Sequence, residues 1–171
     1  MKKIRILATI ISIFGSSCAF SDTFAVDVPT TLKLVKDRGS ELSTFTGKVA
    51  VSGRFIARWE VDLEERPRIF MLFQPDEASV VRLPYDAERG RVKEIRINNK
   101  LSILSRFLSP SAEKELLSKR VTSAEVEATA ILTKYQTAID CDKRRYSGVI
   151  ISGHSLAAAK LAKGTFGQQS C

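Results

Sequence analysis

Residues 46–85 read TGKVAVSGRFIARWEVDLEERPRIFMLFQPDEASVVRLPY, and this stretch decides the fold. From Val49 to Val61 alternate residues form one apolar file, and the residues between them are mostly polar. A period of two predicts a long β-strand with one buried face. Gly53 interrupts the apolar file, which predicts a bulge or a sharp bend at that position. We expect the rest of the chain to be organised around this strand.

The shorter apolar runs on either side of polar turns predict further strands and two helices. Residues 101–108 fit a strand or a helix equally well, because a short apolar run cannot be typed by its period. The other predicted elements, in chain order, are strands at 69–73, 80–83 and 92–97, a helix that starts at Ser109-Pro110 and buries Ala112, Leu116 and Leu117, strands at 125–139 and 145–152, and a short helix at 155–163. The fold class is therefore mainly β (α+β), as a small, partly open antiparallel barrel or a strongly curved sheet.

The order of these elements resembles the oligonucleotide/oligosaccharide-binding (OB) barrel. That barrel has a long first strand bent at a glycine, which Gly53 would supply, and a helix inserted after the early strands. The resemblance implies a fold and names no ligand.

The first nineteen residues, MKKIRILATIISIFGSSCA, have the three parts of a secretory signal peptide. A basic start precedes the apolar run 6–14, and residues 17–19 form a small-x-small cleavage site. The sequence thus predicts an exported protein, periplasmic or secreted, whose mature chain is one β-rich domain of residues 20–171. A lipoprotein anchored through Cys18 is the alternative, which Gly15 disfavours because a bulky aliphatic residue is usual there.

The charge of the mature chain is modest. The whole chain has 27 basic and 19 acidic residues, and the signal segment contains three of the basic ones and no acidic one. The remaining surplus of five is ordinary for solubility and is weak evidence for a nucleic-acid partner. We predict no nucleic-acid ligand and no transmembrane segment in the mature chain, while an acidic ligand or an anionic envelope surface fits the charge.

Residues 149–157, VIISGHSLA, resemble the nucleophile turn of lipases in the α/β-hydrolase group. That resemblance implies a hydroxyl nucleophile at Ser155 on a strained strand-to-helix turn. In the family an acid and then a His follow the Ser, but no Asp, Glu or His follows Ser155, and His154 is the only His in the chain. The sequence therefore predicts no catalytic residue, and a helix cap is the simpler role for Ser155.

Metal and cofactor chemistry has no recognisable pattern. One His and two mature Cys, thirty positions apart, do not make a zinc spacing. The acidic loop around Asp62, Glu64 and Glu65 lacks the EF-hand spacing, and a solvated loop is the simpler interpretation. Since cleavage would remove Cys18, the even pair Cys141 and Cys171 predicts a disulfide in an oxidising compartment.

Two basic clusters are the remaining candidate binding residues, one at 89–96 and one at 143–145. If the fold brings them beside the arginines of the long strand, they would form a groove for an anion or a glycan, and otherwise they are solvated faces. The candidate binding residues are Arg54, Arg58, Arg91, Lys93, Arg96, Arg144 and Arg145. Trp59, Tyr85, Tyr135 and Tyr146 are candidates for stacking area, although the apolar file predicts a core position for Trp59.

The predicted function is therefore that of a non-enzymatic exported binding protein. It would act as an inhibitor or partner of an envelope protein, or it would bind an envelope glycan. An envelope structural or accessory factor without a discrete ligand and a minimal serine hydrolase using Ser155 are the alternatives.

Overall fold

The computed structural model describes residues 24–25, 27–38, 42–140 and 143–168. The predicted signal peptide and both cysteines of the predicted disulfide, Cys141 and Cys171, lie outside these residues. The strands are β1 Phe24–Ala25, β2 Lys33–Asp37, β3 Ser43–Thr46, β4 Lys48–Val61, β5 Pro67–Pro75, β6 Tyr85–Asp86, β7 Ile95–Ile97, β8 Ser123–Asp140, β9 Lys143–Ser155, β10 Lys160–Ala162 and β11 Gly167–Gln168. The helices are α1 Glu77–Val80, a 3-10 helix Leu101–Arg106 and α2 Pro110–Leu117.

Five strands form a closed barrel in the order β4–β5–β7–β9–β8. The ring closes because β8 pairs with β4 over eleven residue pairs, from Lys48↔Thr133 to Arg58↔Ser123. The β7–β9 pair is parallel and the other four pairs are antiparallel. The prediction of a small, mainly β barrel with an inserted helix is confirmed, and the barrel is closed rather than partly open. Closure removes the exposed strand edges of an open sheet.

The long strand β4 pairs with two neighbours, β5 and β8, and Gly53 lies in the part of β4 that pairs with both. Gly53 has a φ of +147°, and it pairs with Pro75 of β5 on one side and Ala128 of β8 on the other. A Cβ placed there would lie 2.1 Å from the carbonyl oxygen of Gln74. The backbones approach this closely because glycine has no side chain. The registers of β4 with β5 and with β8 run through Gly53 without a shift, so the bulge that the sequence predicted as one possibility is not formed.

The barrel interior is filled by the apolar files of the strands. Val49, Val51, Phe55 and Ala57 of β4 all lie in one buried cluster, as their alternation predicted. Trp59, the next in the file, is only half-buried at the rim, and its indole N–H donates to the carbonyl of Leu116 at 2.8 Å.

Helix α2 follows the sequence signals at its start. The Ser109 hydroxyl accepts a hydrogen bond from the backbone N–H of Ala112 at 3.3 Å, and Pro110 occupies the first turn. Ala112 and Leu116 are buried as predicted, but Leu117 is 44% exposed. The prediction for Leu117 was wrong because adjacent residues of a helix lie about 100° apart, so the side that buries Leu116 leaves Leu117 toward solvent.

The predicted strand at 80–83 is wrong. Asp76 caps helix α1 instead, and its carboxylate accepts from the backbone N–H of Ser79 at 2.8 Å. The buried Ser79 hydroxyl in turn accepts a hydrogen bond from the backbone N–H of Ser52, the residue before Gly53. These two side-chain hydrogen bonds stabilise a single helical turn. The short apolar run at 80–83 does not reveal them, because Asp76 and Ser79 lie outside it.

The predicted terminal helix at 155–163 is also wrong. Strand β9 continues through Gly153 and His154 to Ser155, and residues 160–162 form β10 against the start of β8. A helix of nine residues is marginal by itself. Pairing gives this segment backbone bonds instead, including one from the Thr122 N–H to the Ala162 carbonyl at 2.8 Å.

Candidate functional site

A broad groove of about 880 Å³ runs over the outer face of β5, β7 and β9. Its floor contains the apolar side chains of Phe70 and Leu72, which point away from the barrel interior. Its described lining includes eight basic residues and three acidic ones. They are Arg58, Arg89, Arg91, Lys93, Arg96, Lys143, Arg144 and Arg145, against Glu60, Glu94 and Asp140. The groove is therefore a mainly basic surface over two buried apolar side chains, since Phe70 and Leu72 are only 9% and 7% exposed.

Six of the seven residues predicted from the sequence line this groove, and Arg54 does not. Arg54 lies further along β4, where its guanidinium meets Glu125 at 3.1 Å and Gln74 at 2.8 Å. The sequence analysis missed Phe70 and Leu72, because the run 69–73 is apolar on both faces and does not show which face is outside. It also missed the neutral polar residues of the lining, among them Asn98, Gln136 and Ser147.

Arg144 is bound inside the protein. Its Nη2 and Nε lie 2.7 and 2.9 Å from one carboxylate oxygen of Asp86, and the two side chains are only 5% and 4% exposed. Arg91 pairs with Asp27 at 2.9 Å, and Arg58 pairs with Glu60. These cations shape the groove, but part of their charge is already compensated.

Arg96, Lys93 and Arg145 have more capacity for an external anion. The Arg96 guanidinium lies 4.8 Å above the Phe70 ring, and no described carboxylate forms an ion pair with Arg96 or Lys93. Arg145 is 4.0 Å from Asp140, and its Nε is buried without a hydrogen-bond partner among the described atoms.

The tyrosines support the barrel rather than offer a stacking surface. Tyr135 is fully buried and donates from its hydroxyl to the Pro84 carbonyl at 2.9 Å. Tyr146 stacks on Tyr135 with ring centroids 6.0 Å apart, and its hydroxyl accepts from the Asp86 N–H at 3.0 Å. Tyr85 donates to Asp27 at 3.1 Å. Of the four aromatic candidates, only Tyr146 is among the described residues that line the groove.

We expect the protein to lose stability at alkaline pH because of the buried phenol groups of Tyr135 and Tyr146. Burial raises the pKa of Tyr135 well above its ordinary range and also raises the pKa of Tyr146. The folded state then holds both phenolic protons more tightly than the unfolded state, so their contribution is complete below about pH 10 and falls as the pH rises above it. Urea unfolding between neutral pH and pH 11 should show this loss, and Tyr135→Phe should reduce it. An unfolding free energy that stays level above pH 10 would contradict the assignment.

The strand-to-helix turn of a hydrolase nucleophile is not formed around Ser155. Gly153 and His154 continue β9, and the His154 ring contacts the Thr129 hydroxyl at 3.3 Å. Ser155 ends the strand beside a second pocket of about 560 Å³ that also contains the start of α2.

The acidic loop at 62–66 is bonded within itself. One Asp62 oxygen accepts from the N–H groups of Arg66 and Glu64, each at 2.9 Å, and the other meets Arg68 at 2.8 Å. The Arg66 backbone bond is the main reason that the pKa of Asp62 is lowered. No group of three or more His, Cys, Asp or Glu in the described part of the chain has the arrangement of a metal site.

Comparison with known proteins adds no functional assignment. No family model, no curated protein and no solved structure matches this chain. Within residues 24–168, as far as they are described, no helix has the length and apolar character needed to cross a membrane.

Proposed function

We propose that this is a non-enzymatic exported protein that works by binding an acidic ligand of the cell envelope in the basic groove. The ligand is either an acidic surface of an envelope protein, which the protein would inhibit or assist, or an acidic glycan. Export rests on the signal-like residues 1–19, and the non-enzymatic role rests on the missing acid and base around Ser155.

The observation that carries the proposal is the meeting of cations from distant parts of the chain in one groove. Arg58 comes from β4, Arg96 from β7 and Arg145 from β9, and all three line the same groove. Arg58 and Arg145 each have one carboxylate partner, Glu60 and Asp140, whereas no described carboxylate forms an ion pair with Arg96. Basic residues outnumber acidic ones eight to three in the described lining, and a concave surface with an excess of one sign of charge concentrates ligands of the opposite sign and speeds their association.

The fold analogy supports the location. OB barrels bind their ligands on the face of the second and third barrel strands, which correspond here to β5 and β7. Phe70, Leu72 and Arg96 lie on that face. The analogy concerns position only, because unrelated ligands are bound on the same fold.

The test is co-sedimentation of mature protein, residues 20–171, with isolated envelope material at increasing salt. We expect binding that weakens with salt, because exposed charge pairs are screened. Arg96→Glu should weaken it at least about tenfold, since it removes one attractive charge and adds a repulsive one. The matched control is Arg54→Glu, which makes the same charge change on β4 outside the groove. Equal effects of the two substitutions would show that net charge, and not the groove, carries the binding.

A further inference from the structure

We infer that the chain has a second binding site, for an extended segment of another protein, and that its own residues 163–168 cover this site as an intramolecular ligand. The site consists of the Trp59 ring, the Lys119 ammonium and the edge of β4 at Glu60–Val61. We call residues 163–168 the tail. The site adjoins the basic groove, whose lining includes Glu60, but the inference does not depend on the ligand of the groove.

The edge of β4 at this site is paired with the tail alone. Strand β8 pairs with β4 only as far as Arg58. Beyond it, the described strand on this side of β4 is β11, which forms two parallel residue pairs, Gly167↔Glu60 and Gln168↔Val61. When β11 leaves, the end of β4 becomes an open strand edge, and such an edge pairs with the backbone of another extended chain.

The Trp59 ring is a fixed platform for an aromatic side chain. Its indole N–H donates to the Leu116 carbonyl at 2.8 Å, a bond that does not involve the tail. The Phe166 ring stacks on it, with centroids 5.6 Å apart and 23° between the ring planes. The Lys119 ammonium lies 4.9 Å from the centroid of Trp59 and 5.9 Å from that of Phe166. Stacking and a cation therefore hold an aromatic residue at this place together.

The tail is held to the barrel by few contacts. Gly167 and Gln168 are exposed, and they form the two residue pairs with β4. Gly164 and Thr165, which connect β10 to the ring stack, form no hydrogen bond with the described residues. Segments with so few buried contacts open locally while the core stays folded. A partner segment therefore competes with the tail and not with the core of the barrel.

The seated tail defines the chemistry of the partner. The partner segment is extended and places an aromatic side chain on Trp59, as Phe166 does. The next residue is small, because a Cβ at Gly167 would already lie 3.4 Å from the Glu60 Cγ. Glycans and nucleic acids lack the regular backbone N–H and C=O groups that pair with a strand edge, so the partner is a polypeptide.

The first experiment titrates the full mature chain, residues 20–171, with a synthetic peptide of the tail, KGTFGQ. Trp59 is the only tryptophan of the chain, so its fluorescence reports on the ring stack. We expect the peptide to bind Phe166→Ala about fivefold more tightly than the wild-type chain, because the tail of the variant has lost its stack. Lys119→Gln in the same background should weaken peptide binding about threefold, and Lys119→Arg should retain it.

Two controls accompany the titration. A peptide with Ala in place of Phe should not bind. Leu161→Ala truncates an apolar side chain of β10 that is 41% exposed and lies outside the ring stack, and this variant should bind the peptide as the wild-type chain does. Unchanged thermal unfolding will show that the variants fold. Equal peptide affinity of Phe166→Ala and the wild-type chain, or binding that does not need the aromatic residue, overturns the site.

Co-sedimentation with isolated envelope material tests whether a protein partner uses the site. Phe166→Ala should bind more than the wild-type chain, excess KGTFGQ should remove the increase, and protease treatment of the envelope should abolish it. No increase, or an increase that survives the protease, overturns the protein partner. In the same assay Arg96→Glu tests the groove, so binding that is lost in Arg96→Glu and unaffected by Phe166→Ala sinks this inference while the proposed function stands.

Discussion

Replacing Asp86 with alanine is expected to lower the free energy of unfolding by about 3–5 kcal/mol. The substitution leaves the Arg144 guanidinium in a site where its side chain is only 5% exposed, without the carboxylate that binds it at 2.7 and 2.9 Å. The other Asp86 oxygen also accepts from the Glu88 N–H at 3.1 Å, so a turn loses its bond too. Urea unfolding followed by circular dichroism measures the change.

The matched control removes a carboxylate from an exposed ion pair. Glu125→Ala breaks the contact between Arg54 and Glu125, whose side chains are 48% and 37% exposed. It should lower the free energy of unfolding by at most about 1 kcal/mol. The double variant Asp86→Ala/Arg144→Met should recover part of the loss, because it leaves no uncompensated buried charge. If Asp86→Ala costs no more than Glu125→Ala, the buried pair is not a structural support of the barrel.

Replacing Gly53 with alanine is expected to destabilise the protein by about 3–5 kcal/mol. Two costs add at this position. The new Cβ would lie 2.1 Å from the Gln74 carbonyl oxygen and 2.9 Å from the Asp76 nitrogen, and the backbone φ of +147° is strained for any residue with a side chain. Because β4 pairs with both β5 and β8 there, neither strand can move away without breaking its register.

Gly90→Ala separates the two costs. Gly90 also has a positive φ, +81°, but a Cβ added there meets nothing within 4 Å. Its expected cost is only the conformational one, about 1–2 kcal/mol. Thermal and urea unfolding of both variants provide the comparison. Similar losses of unfolding free energy at the two positions would mean that the close approach of Gly53 to the Gln74 carbonyl is unimportant.

The sequence by itself determined the elements whose signals are local. Strand β4 and strand β8 were predicted because every second side chain faces the core, and this period is written in the residues themselves. The start of α2 at Ser109-Pro110 was predicted for the same reason, since a capping hydroxyl acts within a few residues.

Tertiary structure decided the segments whose local preference is weak. The Ala- and Leu-rich residues 155–163 were predicted to form a helix, but backbone pairing of 160–162 with the start of β8 outweighs a short helix. Residues 80–83 were predicted to form a strand, but the Asp76 cap and the buried Ser79 hydroxyl fix a helical turn, Glu77–Val80, at their start. In both cases the deciding partner lies outside the segment.

The groove is likewise a product of the barrel and not of any one motif. The sequence supplied two clusters of cations and the arginines of β4, but it did not determine whether they meet. The pairing of β7 with β5 and β9 brings Arg96 between Arg58 and Arg145, while the same barrel leaves Arg54 outside. Strand register sets which side chains become neighbours, and register depends on contacts across the whole sheet, which no stretch of sequence contains.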